Sequence, residues 1–288
     1  MIKNLRVPAK HVEQIVRIAL AEDLAARDVT TEALIPFRLE GKASILVKRD
    51  GVLAGVDVAK EVFRQVDHSL RFRALCKDGA KIKKGNVVAI VEGKVASILK
   101  AERTALNFLQ HLSGIATETA RYVDAVSETK AVIADTRKTT PGLRLLEKYA
   151  VRAGGGKNHR LNLGDGVLIK DNHLMAVRSS GLKLADAVEK ARRRSLRNVK
   201  IEVEVESLKQ AREALSAGAD IIMLDNMKVK DMRQVVELVR GRAVLEASGG
   251  ITLDNVRSVA KTGVNLISVG ALTHSAKALD ISLELELG

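Results

Sequence analysis

The second half of the chain alternates short apolar runs with amphipathic segments, and this rhythm constrains the fold more than any other feature. AVIAD (131–135), VLIK (167–170), IEVEV (201–205), DIIML (220–224), AVLEA (243–247) and NLISV (265–269) have strand length and strand composition. Between most of them lie LRLLEKYAVRA, LADAVEKARRR, SLKQAREALSAG, VKDMRQVVELVRG and LDNVRSVAKTG, each with helical spacing. Strands linked by helices in this way make right-handed βαβ units and a parallel sheet. Six or seven units predict an open or incomplete TIM-like α/β barrel, with a doubly wound open sheet as the alternative. The absence of G-x-G-x-x-G after the first strand weakens that alternative.

Residues 1–125 read differently and predict an N-terminal α/β domain, with 126–288 as the barrel. The last part of the first domain, or the C-terminal tail, is compatible with a swap between the two. An opening amphipathic helix is followed by two short strands in KASILVKRDGVLAG and a helix in VAKEVFRQV. The stretch after it is punctuated by Asp78-Gly79, Lys84-Gly85 and Glu92-Gly93, a pattern of short strands and turns. From Ser97 the spacing of Leu99, Leu106, Leu109 and Leu112 predicts a helix, which Gly114 ends or bends.

A formal charge of +13 is compatible with nucleic acid, an acidic membrane surface or small polyanionic substrates. Aromatic residues make up only 2% of the chain and no zinc-finger or RNA-recognition spacing is present, so nucleic acid is not expected. The basic run KARRRSLR (190–197) reads as a solvated helix face. No apolar run approaches the roughly 20 residues that span a bilayer, and the N-terminus lacks the continuous apolar stretch of a secretory signal. With Cys76 as the one cysteine no intrachain disulfide can form. A cytoplasmic protein without membrane attachment is expected.

Chemistry concentrates at the ends of the predicted strands. Asp135-Thr136-Arg137-Lys138-Thr139 follows the first, Lys170-Asp171-Asn172-His173 the second, and Asp225-Asn226 the fourth. Glu202 and Glu204 lie two apart in the third and share a face. In a parallel barrel these ends converge on the face that carries active sites. Ser248-Gly249-Gly250 and Gly270 follow the last two strands, where barrels bind phosphate through backbone N–H groups. Arg137, Lys138, His159, Arg160 and Lys170 would complete an anion pocket, and Glu204 with Asp225 is a plausible pair for Mg²⁺ beside a phosphorylated substrate. GGGKNHR (154–160), three glycines beside four donor side chains, reads as part of this anion-binding set.

DTRKT (135–139), AVRAGGGKNHR (150–160), LIKDNH (168–173), EVEV (202–205), LDN (224–226) and EASGGI (246–251) together resemble the quinolinate phosphoribosyltransferase family. AEDLAARDVTTEALIP (21–36) and ERTALNFLQHLSGIAT (102–117) extend the likeness over nearly the whole chain, with Arg27 standing where the family more often has glycine. The resemblance implies transfer of the phosphoribosyl group of phosphoribosyl pyrophosphate to quinolinate with decarboxylation, and a homodimer, open to higher assembly, with shared active sites. It places Arg103 as the arginine given to a neighbouring subunit's site. It places Arg137, His159 and Arg160 around the quinolinate carboxylates, and Thr136, Lys138 and Lys170 in the substrate site, with the two lysines reaching the phosphoribosyl substrate. Glu204 and Asp225 fall near the ribose and magnesium, and Ser248, Gly249, Gly250 and Gly270 around the 5-phosphate. Lys138, Lys170, Glu204 and Asp225 carry the expected catalytic roles.

Overall fold

The computed structural model describes residues 7–24, 28–195 and 199–287; Arg27 and its departure from the family pattern lie outside them. In chain order the elements are α1 (Ala9–Leu24), α2 (Val29–Leu34), β1 (Glu40–Val47), β2 (Gly51–Val52), α3 (Val56–Val66), β3 (Arg71–Ala74), β4 (Lys81–Ile82), β5 (Val87–Lys94) and α4 (Val95–Ala125). Next come β6 (Val132–Ala134), α5 (Arg144–Ala153), β7 (Val167–Ile169), α6 (Asp171–Ser179), α7 (Leu184–Arg194), β8 (Ile201–Val205) and α8 (Leu208–Ser216). The chain ends with β9 (Ile221–Asp225), α9 (Val229–Val239), β10 (Val244–Ser248), α10 (Leu253–Ala260), β11 (Leu266–Ser268), α11 (Ala271–His274) and β12 (Ile281–Glu286). Among the described residues no helix is long and apolar enough to cross a membrane.

Two compact units form, and they do not follow chain order. One comprises Lys3–Ala120, Thr139–Gly155 and Ala271–Gly288; the other contains Arg121–Lys138 and Gly156–Gly270. The sequence boundary at 125/126 thus differs from the spatial one. Helix α5, expected as a barrel crossover, packs in the first unit, and so does the C-terminal strand.

In the first unit an antiparallel sheet runs β12-β1-β5-β3. Its central strand β1 buries Ala43, Ile45 and Val47 completely, the period-2 signature of a strand with one face on a core. Helix α3 starts at Gly55, whose φ of +99° suits glycine, and Asp78 accepts from the backbone N–H groups of Gly55 (3.0 Å) and Val56 (3.1 Å). Those are two of the four donors a helix N-terminus leaves unpaired. Helix α4 does not stop at Gly114. A Cβ there would lie 2.2 Å from the carbonyl oxygen of Lys277, so the glycine admits the returning C-terminal chain against the helix. Close approach, and not helix termination, explains the residue.

The second unit is a six-stranded parallel sheet in the order β6-β11-β10-β9-β8-β7. Register determines its two faces. The pairs Leu168↔Glu202, Glu204↔Met223, Met223↔Glu246, Glu246↔Leu266 and Asp225↔Ser248 place these residues on one side. The other side carries Ile133, Val203, Val205, Ile222, Leu224, Leu245, Ala247 and Ile267, all buried and apolar. A sheet flanked by helices normally buries such residues on both faces, so the carboxylate-bearing side must face something else. The sheet curls toward that side. Glu202 on β8 and Glu246 on β10, two strands apart, reach the same histidine nitrogen. On a flat sheet their strands would stand roughly 10 Å apart. The result is an open barrel whose polar residues line the concave interior, with β6 and β7 as the outermost strands of the sheet.

Candidate active site

At the C-terminal ends of neighbouring strands, Lys170 Nζ lies 3.6 Å from Glu204 Oε2. Burial raises the Glu204 carboxyl above its ordinary range; Lys170 pulls it back, while Asp225 and Asp171 push it further up. Three carboxylates and one ammonium therefore share this corner. Beside it a cavity of about 360 Å³ is lined by Asp171, Asn172, Met175, Glu204, Glu206 and Gln210. The backbone N–H of Lys170 donates to His173 Nδ1 (3.1 Å), fixing the turn into α6.

The next corner is built on backbone. Ser248 pairs with Asp225 across β10 and β9, and Gly249 and Gly250 follow with φ of +84° and +60°. A Cβ on Gly249 would sit 2.3 Å from Asn226 Oδ1. Asn226 is itself left-handed (φ 52°), donates through its backbone N–H to the Ser248 carbonyl (2.9 Å), and gives its side-chain amide to Asp225 Oδ2 (2.7 Å). The glycine turn, the asparagine and the aspartate thus hold one another. The turn leads into α10, where Thr252 and Asn255 form a reciprocal capping box. Glycines opening onto a helix N-terminus suit an anion.

The stretch 154–160 falls into two parts. Gly154 closes α5 and packs against α4, where a Cβ would meet the Ala116 carbonyl oxygen at 2.3 Å; Gly155 turns the chain with φ +87°. Lys157 then pairs in parallel with Ala134, alongside β6. Gly154 serves close packing and Gly155 chain reversal. Residues 158–160, by contrast, enter the barrel. Asp135, wholly buried, accepts from Asn158 Nδ2 (2.6 Å) and from the His159 backbone N–H (2.8 Å), fixing the direction of the next two side chains.

His159 Nε2 lies 3.2 Å from Glu202 and 3.4 Å from Glu246. Burial lowers the histidine pKa, but the two carboxylates facing Nε2 outweigh it and raise it to about 10. Ser268 donates to the other oxygen of Glu246. Arg160 reaches the Gly166 carbonyl (3.3 Å), and burial, then the neighbouring Arg137 guanidinium, lowers its pKa. Two guanidiniums close enough to oppose one another suit a bound anion, which would offset their repulsion. A second cavity, of about 240 Å³, lies against His159, Arg160, Glu202 and Glu246, reaching the strand starts at Val167 and Ile221.

The structure therefore brings Lys170, Glu204, Asp225, Ser248, Gly249 and Gly250 to the strand ends. Gly270, half-buried, follows β11. Thr136 accepts from the Lys138 backbone N–H (3.0 Å) in the turn after β6, leaving Lys138 exposed. Arg103 stands exposed on α4 in the first unit. Sequence reasoning missed Glu246, Asp135 and Ser268 as members of the histidine's surroundings. The signal that could have found the first was a carboxylate in the middle of the apolar run AVLEA.

A concave parallel-sheet interior with cations, carboxylates and a glycine turn gathered at its strand ends defines a barrel enzyme for anionic substrates. Residues 28–113 match the N-terminal and 115–284 the C-terminal domain of quinolinate phosphoribosyl transferase. The probable nicotinate-nucleotide pyrophosphorylase (carboxylating) of Bacillus subtilis is 46% identical, over 92% of this chain and 90% of its own. The Mycobacterium leprae enzyme of the same name without the qualifier is 46% identical over 94% and 95%. The solved nicotinate-nucleotide pyrophosphorylase from Francisella tularensis superposes with a TM-score of 0.92 at 42% identity, covering 98% of each chain. The chain belongs to the quinolinate phosphoribosyltransferase family.

Proposed function

We propose that this chain transfers the phosphoribosyl group of phosphoribosyl pyrophosphate to quinolinate with loss of one carboxylate. The products are nicotinate mononucleotide, pyrophosphate and CO₂, in the de novo route to NAD. The observation that carries the reading is the gathering of Lys170, Glu204, Asp225 and the Ser248–Gly250 turn at one end of one curled sheet, with Arg137, His159 and Arg160 on the segments beside β6. The pyridine nitrogen of quinolinate attacks the anomeric carbon as pyrophosphate leaves, through a transition state with oxocarbenium character. The nitrogen carries no proton, so no general base is needed. Once alkylated, the pyridinium stabilises the carbanion left when the carboxylate beside it departs as CO₂, and a proton from solvent then takes the carboxylate's place on the ring.

Each residue set has a role in this sequence. Arg137, Arg160 and His159 hold the two carboxylates, and this orientation is a large part of catalysis. Lys138 and Lys170 face negative charge growing on the leaving pyrophosphate, and Glu204 or Asp225 faces positive charge growing on the sugar. Ser248, Gly249, Gly250 and Gly270 receive the 5-phosphate, with Thr136 beside the site. Glu204 and Asp225 fit Mg²⁺: the ion typically takes one or two carboxylates plus substrate phosphates, and a cation there would relieve the mutual repulsion that raises Glu204. Magnesium, when bound, neutralises charge on the pyrophosphate. Arg103 reaches the site of a second copy in a homodimer, and the protein works in the cytoplasm.

The test is a steady-state assay with quinolinate, phosphoribosyl pyrophosphate and Mg²⁺, with nicotinic acid as the control acceptor. Nicotinate mononucleotide formed from quinolinate and not from nicotinic acid supports the reading; turnover of nicotinic acid alone contradicts it.

A further inference from the structure

The barrel interior holds two buried carboxylates, Glu202 and Glu246, that the transfer chemistry above does not use. Glu202 is 4% exposed and Glu246 is fully buried, and both direct an oxygen at His159 Nε2. Two dehydrated carboxylates this close repel strongly unless a cation lies between them. The remaining bonds leave that task to the histidine. Glu246 Oε1 accepts from Ser268, whereas Glu246 Oε2 has no hydrogen bond among the described residues, only its ion pair with the ring. Asp135, through the His159 backbone N–H and the Asn158 amide, fixes the main chain from which the ring projects. The other charged groups nearby are Arg160 on the same segment, and Asp165 and Lys200 lining the adjoining cavity.

We propose that Glu202 and Glu246 are positioning residues of the transferase, clamping His159 as a permanent imidazolium that serves the dicarboxylate site. This rests on the reading of that site as one for quinolinate. A histidine in water would lose its charge near neutral pH, and a dicarboxylate pocket relying on it would weaken just where the enzyme works. With a hydrogen bond to Glu202 and an ion pair to Glu246, both at Nε2, the ring keeps its charge, in line with a pKa raised to about 10. Glutamine at position 246 would keep an oxygen for Ser268. It would remove one of the two negative charges that hold the ring's second proton, while Nε2–H still donates to Glu202.

The test uses the full-length protein with ¹⁵N-labelled histidine, as wild type, Glu246→Gln and Glu202→Gln, the second variant guarding against misfolding of the first. In wild type the His159 ring nitrogens keep imidazolium shifts from pH 6.5 to 8.5, and in the variants they titrate within that range. Over the same range the wild-type KM for quinolinate changes less than about twofold, while the variants' rises about tenfold and their KM for phosphoribosyl pyrophosphate stays level. A merely structural role would move both constants together at every pH. A neutral His159 in wild type at pH 8 overturns the proposal and leaves the transferase reading intact. An imidazolium in a protein that does not turn over quinolinate overturns the transferase reading and leaves the clamp. An unchanged quinolinate KM in both variants overturns the use of the charge in dicarboxylate binding. Because the three side chains each present a ligand atom within 4.8 Å of the others, a tightly held metal ion found by elemental analysis, and lost in Glu246→Gln, would also overturn it.

Discussion

Lys170 and Glu204 face one another across adjacent parallel strands, 3.6 Å apart, with the lysine half-exposed and the carboxylate nearly covered. Such a pair adds little to stability, because the exposed ammonium is screened by solvent. In the proposed mechanism its value lies in placing a cation where the leaving pyrophosphate would develop charge. Lys170→Met is expected to lower kcat by roughly 10²–10³-fold, the usual loss for one preorganised donor, with a small change in melting temperature. Steady-state kinetics and a thermal melt on the same preparation check this; a large drop in stability with unchanged kcat would assign the pair to folding.

In the proposed mechanism the two ends of the site divide the two substrates. Arg160→Ala removes a guanidinium from the dicarboxylate side and should raise the KM for quinolinate by about 10–100-fold, the worth of one or two charge-assisted hydrogen bonds. Asp225→Asn should raise the apparent constants for phosphoribosyl pyrophosphate and magnesium, and leave quinolinate nearly unaffected. Varying each substrate in turn separates the two; equal, small effects at both positions would contradict the division.

Gly249 cannot carry a side chain. Its left-handed backbone and the 2.3 Å approach to Asn226 Oδ1 mean that Gly249→Ala must displace the asparagine, and with it the hydrogen bond to Asp225. A loss of about 1–3 kcal/mol in unfolding free energy is expected, together with a raised KM for phosphoribosyl pyrophosphate. Denaturant unfolding and kinetics on this variant check both. Gly85→Ala is the control: its φ of +88° carries the backbone cost, but nothing lies within 4 Å of the added Cβ.

Stability should fall on the alkaline side. The His159 pKa is raised from its ordinary 6.5 to about 10 in the folded chain, so the folded state holds a proton that the unfolded state releases. The contribution is complete below about pH 6.5 and is lost as pH rises toward 10. The midpoint of chemical unfolding, followed from pH 6 to 10.5, should decline in wild type and decline less in His159→Gln. Parallel declines would show that other groups dominate.

The barrel strands were legible because their outer faces are continuous rows of Ile, Val, Leu and Ala, and the strand-end residues were legible because parallel strands all point one way. Glu202 and Glu204 stood out for the same reason: IEVEV shows its two faces within five residues. Glu246 did not, since its meaning depends on curvature that brings β10 to a histidine beside β6. The glycine at 114 misled the reading because local propensity says helix end, whereas its contact with Lys277 decides its place. Strand β12 escaped for a related reason. Its alternation is plain in ISLELE, but its partner β1 lies some 240 residues earlier, as in Ser44↔Glu284.

The most direct measurement traces a label. Quinolinate carrying ¹³C in the carboxylate beside the ring nitrogen is incubated with the protein, phosphoribosyl pyrophosphate and Mg²⁺, and labelled CO₂ and nicotinate mononucleotide are counted together. Equal amounts of the two, each dependent on phosphoribosyl pyrophosphate, are the predicted result. Nucleotide that retains the label, or labelled CO₂ released without phosphoribosyl pyrophosphate, would contradict transfer coupled to decarboxylation at this site.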